Sequence, residues 1–189
     1  TFENVGSDPS EELTFSLSHG GSMVDILTEN IILESVAAGD EVTVGPFEIE
    51  VSWNVEDGAH IDFTVFVTNG SDSWEFDTDV IVEAPAYQLL STELLNDLNG
   101  TLDPGESAIL QVVMKNVGHA PVIYPDFEGT TSDPYISIGN IVSDNDYLWD
   151  IDTDITLIIE VEAESDAPVG HSALTAILIG SLGTDYENV

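Results

Sequence analysis

The sequence predicts an all-β chain of two consecutive antiparallel modules, and three observations carry that expectation. Apolar and polar residues alternate with period two through most of the chain, the mark of strands with one buried face. No long segment keeps the 3.6-residue apolar period of a helix. The pattern of the first half returns in the second at a fixed spacing.

Taken in order, Leu13, Phe15 and Leu17 alternate with Thr14, Ser16 and Ser18, and His19-Gly20-Gly21-Ser22 supplies a turn. Short strands are expected over 24–27, 31–36 and 41–44, with Ala-Ala-Gly-Asp (37–40) turning between the last two. Phe47, Ile49, Val51, Trp53 and Val55 share one face, and Glu48, Glu50, Ser52 and Asn54 the other. Ile61, Phe63, Val65 and Val67 repeat the pattern before a hairpin turn at Asn69-Gly70-Ser71-Asp72. Trp74, Phe76, Val80 and Val82 are expected on the inner face of the returning strand. Glu75, Asp77, Asp79 and Glu83 would then point outward.

The second half follows the same scheme. Residues 87–95 read as a strand, and Leu110, Val112 and Met114 alternate with Gln111, Val113 and Lys115 over the strand-like run 108–117. Asp150, Asp152 and Asp154 alternate with Ile151 and Ile155 ahead of Leu157, Ile159 and Val161, so alternation explains these aspartates as a solvated face. Residues 171–182 give a last strand.

The halves register on each other. Asn4-Val5-Gly6 matches Asn116-Val117-Gly118 at an offset of 112, and Val24-Asp25-Ile26 falls on Ile136-Ser137-Ile138 at the same offset. Gly58 falls on Gly170 and Trp74 on Tyr186. Ala84-Pro85 marks the boundary, giving modules over 1–84 and 85–189. In this register the first module lacks its N-terminal strands and the second its last strand. The expectation is a piece of a longer array, completed by neighbouring domains of that chain or by neighbouring subunits through added strands.

Composition narrows the classes of partner. There are 37 acidic residues against a single basic one, Lys115, for a formal net charge of −36. Nothing is present to neutralise phosphates, which excludes ordinary nucleic-acid binding, and an anionic membrane surface would repel the chain. The longest apolar run, 173–182, is too short to span a bilayer, so membrane insertion is not expected. With no cysteine there is no disulfide frame and no thiolate nucleophile.

The most informative stretch is Asn96 to Glu106, which packs oxygen-bearing side chains around two glycines and a proline directly ahead of a strand. Asp97, Asn99, Asp103 and Glu106, with the Thr101 carbonyl, are candidate ligands for a structural Ca2+, a hard cation that takes oxygen ligands from turning loops. The spacing is not that of an EF-hand, and the same residues also suit two successive turns, Asn-Gly and Asp-Pro-Gly-Glu. Asp144, Asn145 and Asp146 form a smaller cluster that reads as a hairpin turn.

The order Asn-Gly-Thr-Leu-Asp-Pro-Gly-Glu (99–106), a strand, Asn-Val-Gly (116–118), then Ser-Asp-Pro-Tyr-Ile-Ser-Ile (132–138) resembles the Ig-like modules of secreted bacterial surface proteins. It is similar in particular to modules carried C-terminal to the catalytic domain of gingipain-type cysteine peptidases. Ala-Ala-Gly-Asp (37–40), residues 47–51 and 61–67, and the Gly-containing turn before Trp74 fit the same pattern in the first module. The loop at 97–106 is shorter than in many members. The resemblance implies tandem Ig-like antiparallel β-sandwiches, extracellular or at the cell surface, with any peptidase domain elsewhere. It implies an accessory role as spacer, stabiliser or anchor. The alternative is a structural repeat of a surface filament, adhesin or surface layer assembled by strand exchange.

No catalytic set is legible. His19, His60, His119 and His171 are scattered without metal-ligand spacing, and no Gly-x-Ser-x-Gly element occurs. The chain is therefore expected not to be an enzyme. Two sequons, at Asn69 and Asn99, fall in expected turns.

Overall fold

The computed structural model describes residues 1–52, 54–96, 99–181 and, in backbone alone, 187–188. Trp53, Asp97, Leu182 and Tyr186 lie outside the described residues. The described residues form β-strands and turns without a helix, and every strand pairing is antiparallel. The chain divides into two compact units, Thr1–Val82 and Glu83–Val189.

The first unit holds β1 (Phe2–Glu3), β2 (Leu13–His19), β3 (Val24–Ile26), β4 (Ile31–Leu33), β5 (Glu41–Val42), β6 (Ile49–Val51), β7 (His60–Thr68) and β8 (Ser73–Ile81). Its main sheet runs β4-β2-β7-β8, beside the two-stranded pairs β3-β6 and β1-β5. Leu13, Phe15, Val36 and Val67 are buried together, and Phe2 meets Phe15 edge-on at 5.5 Å between ring centroids. Val24, Ile61 and Phe63 make a second, smaller cluster. The strands expected over 31–36, 41–44 and 47–55 are shorter than alternation suggested. Val36 is buried without belonging to a strand: its carbonyl accepts from Ser10 N–H at 2.8 Å and Asn4 Nδ2 at 2.9 Å, which holds its side chain against Leu13, Phe15 and Val67. The inner face expected for β8 is largely open. Trp74, Phe76 and Val80 are 43%, 49% and 44% exposed, because β8 pairs with β7 at the edge of the sheet and little packs over that face.

The second unit holds β9 (Tyr87–Leu95), β10 (Ser107–Asn116), β11 (Val122–Ile123), β12 (Pro125–Thr131), β13 (Ile136–Ser143), β14 (Leu148–Trp149), β15 (Asp154–Ala163), β16 (Thr175–Ser181) and β17 (Glu187–Asn188). One sheet runs β13-β15-β10-β9 and another β12-β16-β17, with β11-β14 as a short pair. A single core joins the two larger sheets: Ala108, Val112 and Met114 from β10, Ile155, Leu157, Ile159 and Val161 from β15, and Ile179 from β16. These are the alternate residues of central strands, as the period-two pattern requires. Trp149 is buried against this core, stacked on Tyr87 at 5.1 Å, and its Nε1–H donates to Thr153 C=O at 2.9 Å. The last long strand starts at Thr175 rather than 171. Residues 168–171 make a turn closed by His171 N–H to Pro168 C=O at 3.0 Å.

The internal repeat extends to the pairing register. β2 meets β7 with Thr14 opposite Thr68, and β12 meets β16 with Asp126 opposite Gly180. β3 meets β6 with Val24 opposite Val51, and β13 meets β15 with Ile136 opposite Ala163. Each partner in one unit lies 112 residues from its counterpart in the other. The units also share an asparagine clasp. Asn116 Oδ1 accepts from Gly118 N–H at 3.1 Å, and its Nδ2 donates to Ala120 C=O at 2.8 Å. Asn4 does the same with Gly6 N–H and Asp8 C=O, both at 2.9 Å. In the second unit the turn is roofed by the approach to β9: Val117 N–H donates to Ala86 C=O at 2.7 Å and His119 N–H to Ala84 C=O at 2.9 Å. A Cβ on Gly118 would fall 2.3 Å from Ala84 O and Ala86 N, so only glycine fits there.

Asn116 is fully buried, so Asn116→Ala strands several buried polar groups, each costing about 1–3 kcal/mol. Thermal unfolding of the variant is expected to lower the second unit's midpoint by roughly 10 °C or more. Asn4→Ala, on a half-buried turn, should lower the first unit's midpoint by much less.

Candidate functional site

The loop between β9 and β10 carries the sequence-predicted ligands, and Asp97 falls outside its described part. Asn99, Thr101, Asp103 and Glu106 are brought together, but chiefly by bonding to one another. Asn99 Oδ1 accepts from Thr101 N–H at 2.8 Å and from Thr101 Oγ1–H at 2.6 Å. Asn99 Nδ2 donates to Asp103 Oδ2 at 3.0 Å, and Asp103 N–H donates to Glu106 Oε2 at 3.1 Å. Glu106 N–H closes the second turn on Asp103 C=O at 3.0 Å. This is the double turn that Asn-Gly and Asp-Pro-Gly-Glu favour. Among the described residues no three His, Asp or Glu side chains converge as a metal cage. In this arrangement Asn99 Oδ1 is engaged by Thr101, and Asp103 Oδ2 and Glu106 Oε2 each accept a bond from within the loop.

The loop does form one wall of a groove of about 500 Å3, which Asp103 and Pro104 share with Pro168 and His171 from the turn before β16. Beside it lies a pair that sequence reading did not single out. His171 Nε2 sits 2.6 Å from Asp133 Oδ2, and Tyr135 meets the imidazole edge-on at 5.2 Å. Asp133 belongs to the Ser-Asp-Pro-Tyr turn and accepts Tyr135 N–H on Oδ1 at 2.8 Å. That backbone bond, and then the His171 bond and charge, hold the Asp133 carboxyl below its ordinary value. The partners are 38 residues apart, so no local spacing announces them.

The remaining histidines do not join this pair. His19 Nδ1 lies 2.9 Å from Asp62 C=O, and His60 Nδ1 lies 2.9 Å from Asp79 Oδ2 on an open strand face. Asp144-Asn145-Asp146 is a turn, with Asn145 Oδ1 accepting from Tyr147 and Leu148 N–H at 3.1 and 3.2 Å. Asn69 likewise caps the β7–β8 turn through Ser71 and Asp72 N–H. Lys115 pairs with Asp152 at 3.0 Å.

No family model matches the chain, and no curated protein matches it. Among solved structures, a protein of unknown function from Porphyromonas gingivalis W83 is similar at 16% identity, over 95% of this chain and 83% of that one, with a TM-score of 0.35. The exo-chitosanase CsxA of Amycolatopsis orientalis is similar at 14% identity, over 99% of this chain and 24% of that one, with a TM-score of 0.34. Likeness at this level assigns neither fold nor activity, and the functional reading rests on the chain itself.

The lowered Asp133 value has a defined sign. A carboxylate depressed in the folded state adds stability that is whole above its unfolded value, about 3.9, and is lost as the pH falls through the lower folded value. Asp133→Asn is therefore expected to destabilise the second unit at neutral pH, and that deficit should fade as the pH falls through the lowered folded value. Thermal midpoints across pH 2–7 check it.

Proposed function

We propose that the chain is a non-catalytic repeat region of tandem Ig-like antiparallel β-sandwiches, extracellular or at the cell surface. It would act as spacer, stabiliser or anchor of an exported protein such as a gingipain-like peptidase. The observation that carries the reading is the repeated strand register at a 112-residue offset, since serial copies of one module suit a spacer better than a single site. The order β9-β10-β15-β13 against β12-β16-β17 corresponds to the ABED and CFG sheets of a constant-type Ig domain, which supports the Ig-like assignment. Among the described residues no helix is long and apolar enough to cross a membrane.

Two further features suit life beside peptidases that cut after Arg or Lys. The chain offers such an enzyme only Lys115, and that residue lies in β10 between Gln88 of β9 and Asp154 of β15. A backbone paired on both sides cannot be drawn into a protease cleft without unfolding. A structural calcium ion at Asp97, Asn99, Thr101, Asp103 and Glu106 belongs to the proposal as a second conformation of the loop, in which Asn99 releases Thr101.

The alternative, a surface filament or adhesin repeat joined by strand exchange, is favoured by the open β8 face and by the short β3-β6 pair. One solution experiment separates the readings. The purified chain is sedimented across a wide concentration range and assayed against peptide and glycan panels. Monomers without turnover support the spacer, and linear polymers support the filament. Turnover abolished by His171→Ala would overturn both.

The calcium part has its own readout. Millimolar Ca2+ should raise the second unit's thermal midpoint above the effect of Mg2+ at equal ionic strength, and Asp103→Ala should remove that difference. Equal shifts with both ions would mean screening of the acidic surface alone.

A further inference from the structure

The two units share a register, yet a strand central to the second has only a stub in the first. In the second unit β10 lies between β15 and β9, and its Ala108, Val112 and Met114 fill the core. At an offset of 112, Asn116 corresponds to Asn4 and Met114 to Phe2, so β1 is the counterpart of the last residues of β10. β1 pairs with β5 much as the end of β10 pairs with the start of β15, one residue out of step. Among the described residues, β6 pairs with β3 alone.

Where the rest of that strand would run, the first unit has an apolar groove of about 390 Å3. Phe2, Phe15, Val44, Phe47, Val65 and Phe76 are among the residues lining it. The counterparts of Phe15 and Val65 in the second unit, Phe127 and Ile177, pack on the core that Val112 and Met114 complete.

A third, independent sign comes from Gly6. Its counterpart Gly118 is obligatory because residues 84–86 press against it. At Gly6 a Cβ would meet only Asn4 Oδ1 at 3.0 Å and Asp8 O at 3.8 Å, and the residue has no left-handed backbone angle. Glycine there is explained if a segment like 84–86 comes to sit on the turn. Val5, on the same turn, is 87% exposed, against 43% for Val117.

We propose that the groove, the free side of β6 and the Asn4–Asp8 turn together form the docking site for an opening β-hairpin of the type Glu83–Asn116, borne on the same polypeptide ahead of Thr1. Its second strand would run on into Phe2, set small or branched apolar residues into the groove and pair with β6. The approach to its first strand would cap Gly6. Continuity with β1 fixes the direction of the strand and favours attachment in cis. A second copy is a poorer donor, because its own β9–β10 hairpin is already committed to its β15 and its own core. The inference rests on the repeated-module reading and is independent of export or a spacer role, either of which can fail without touching it.

The test places residues 83–112 directly ahead of Thr1 in the otherwise full chain, so that the added Val112 leads into Thr1 and Phe2. Amide exchange over β6 should slow about tenfold or more, and the first unit's midpoint should rise by about 5 °C or more. Val112→Asp in the added copy should abolish both gains. Gly6→Ala should cost more in the extended chain, where a segment lies on the turn, than in the original one, where the Cβ presses only on Asn4 Oδ1. Unchanged exchange over β6, or equal slowing with the aspartate copy, would overturn the proposal. So would β6 protection in the original chain that grows with concentration, since a second copy would then be the occupant.

Discussion

The second unit depends on the amide of Asn116. It is the buried polar side chain of the described residues, and it ties the end of β10 to the turn that follows, to Ala86 on the approach to β9, and to Trp149 C=O. A buried amide is tolerated only when its donors and acceptors are met, so these segments must arrive together. Once they do, Trp149 is held against Tyr87 and the core between the two sheets closes. Asn4 repeats the local part of this device at the start of the first unit, with Asp8 and Val36 carbonyls as its acceptors. What differs between the units is the approach segment above the turn.

Around these clasps the extreme acidity is arranged by strand alternation. In β15 the side chains of Ile155, Leu157, Ile159 and Val161 turn inward, while Glu160 and Glu162 face solvent. In β8, Glu75, Asp77 and Asp79 fill one face. A net charge of −36 repels itself in the compact state, and that repulsion is eased by salt and by cations near the surface. The one lysine spends its charge on Asp152, whose left-handed backbone (φ 60°) lies beside the Asn116 turn. Asp103 and His171 bring titratable side chains to the groove wall, and His171 is held there by Asp133.

Strands whose faces differ strongly were legible in the sequence. Residues 61–67 alternate and form a long strand within a residue of those limits, and 87–95 and 108–117, also read as strands, are long strands within a residue of theirs. The repeat was legible too, through Asn-Val-Gly and its fixed offset, and it extends to the pairing of individual residues. Alternation failed where burial comes from something other than a ladder. Val36 is held in its core cluster by bonds to its carbonyl, and residues 172–174 follow the turn that positions His171. Alternation also overstated burial on β8, because a pattern gives the apolar face without saying what covers it. The Asp133–His171 pair is made by tertiary folding across 38 residues, and a sequence scan for local ligand spacing has no means of finding it. For the 99–106 loop, the same Asn, Asp and Glu types serve a turn or a cation, and only bonding geometry distinguishes the two.

The central claim is that one asparagine-clasped module occurs twice and that its turn is capped in the second unit alone. Residue-resolved amide exchange at Val5, Gly6, Val117 and Gly118 tests it most directly. The account predicts protection at both Gly6 and Gly118, whose N–H groups donate to their clasping asparagines. It also predicts protection at Val117, which donates to Ala86 C=O, and fast exchange at Val5. Fast exchange at Gly6 alongside a protected Gly118 would mean that the first unit has no such clasp. Equal protection at Val5 and Val117 would mean that both turns are capped alike, and either result would contradict the account.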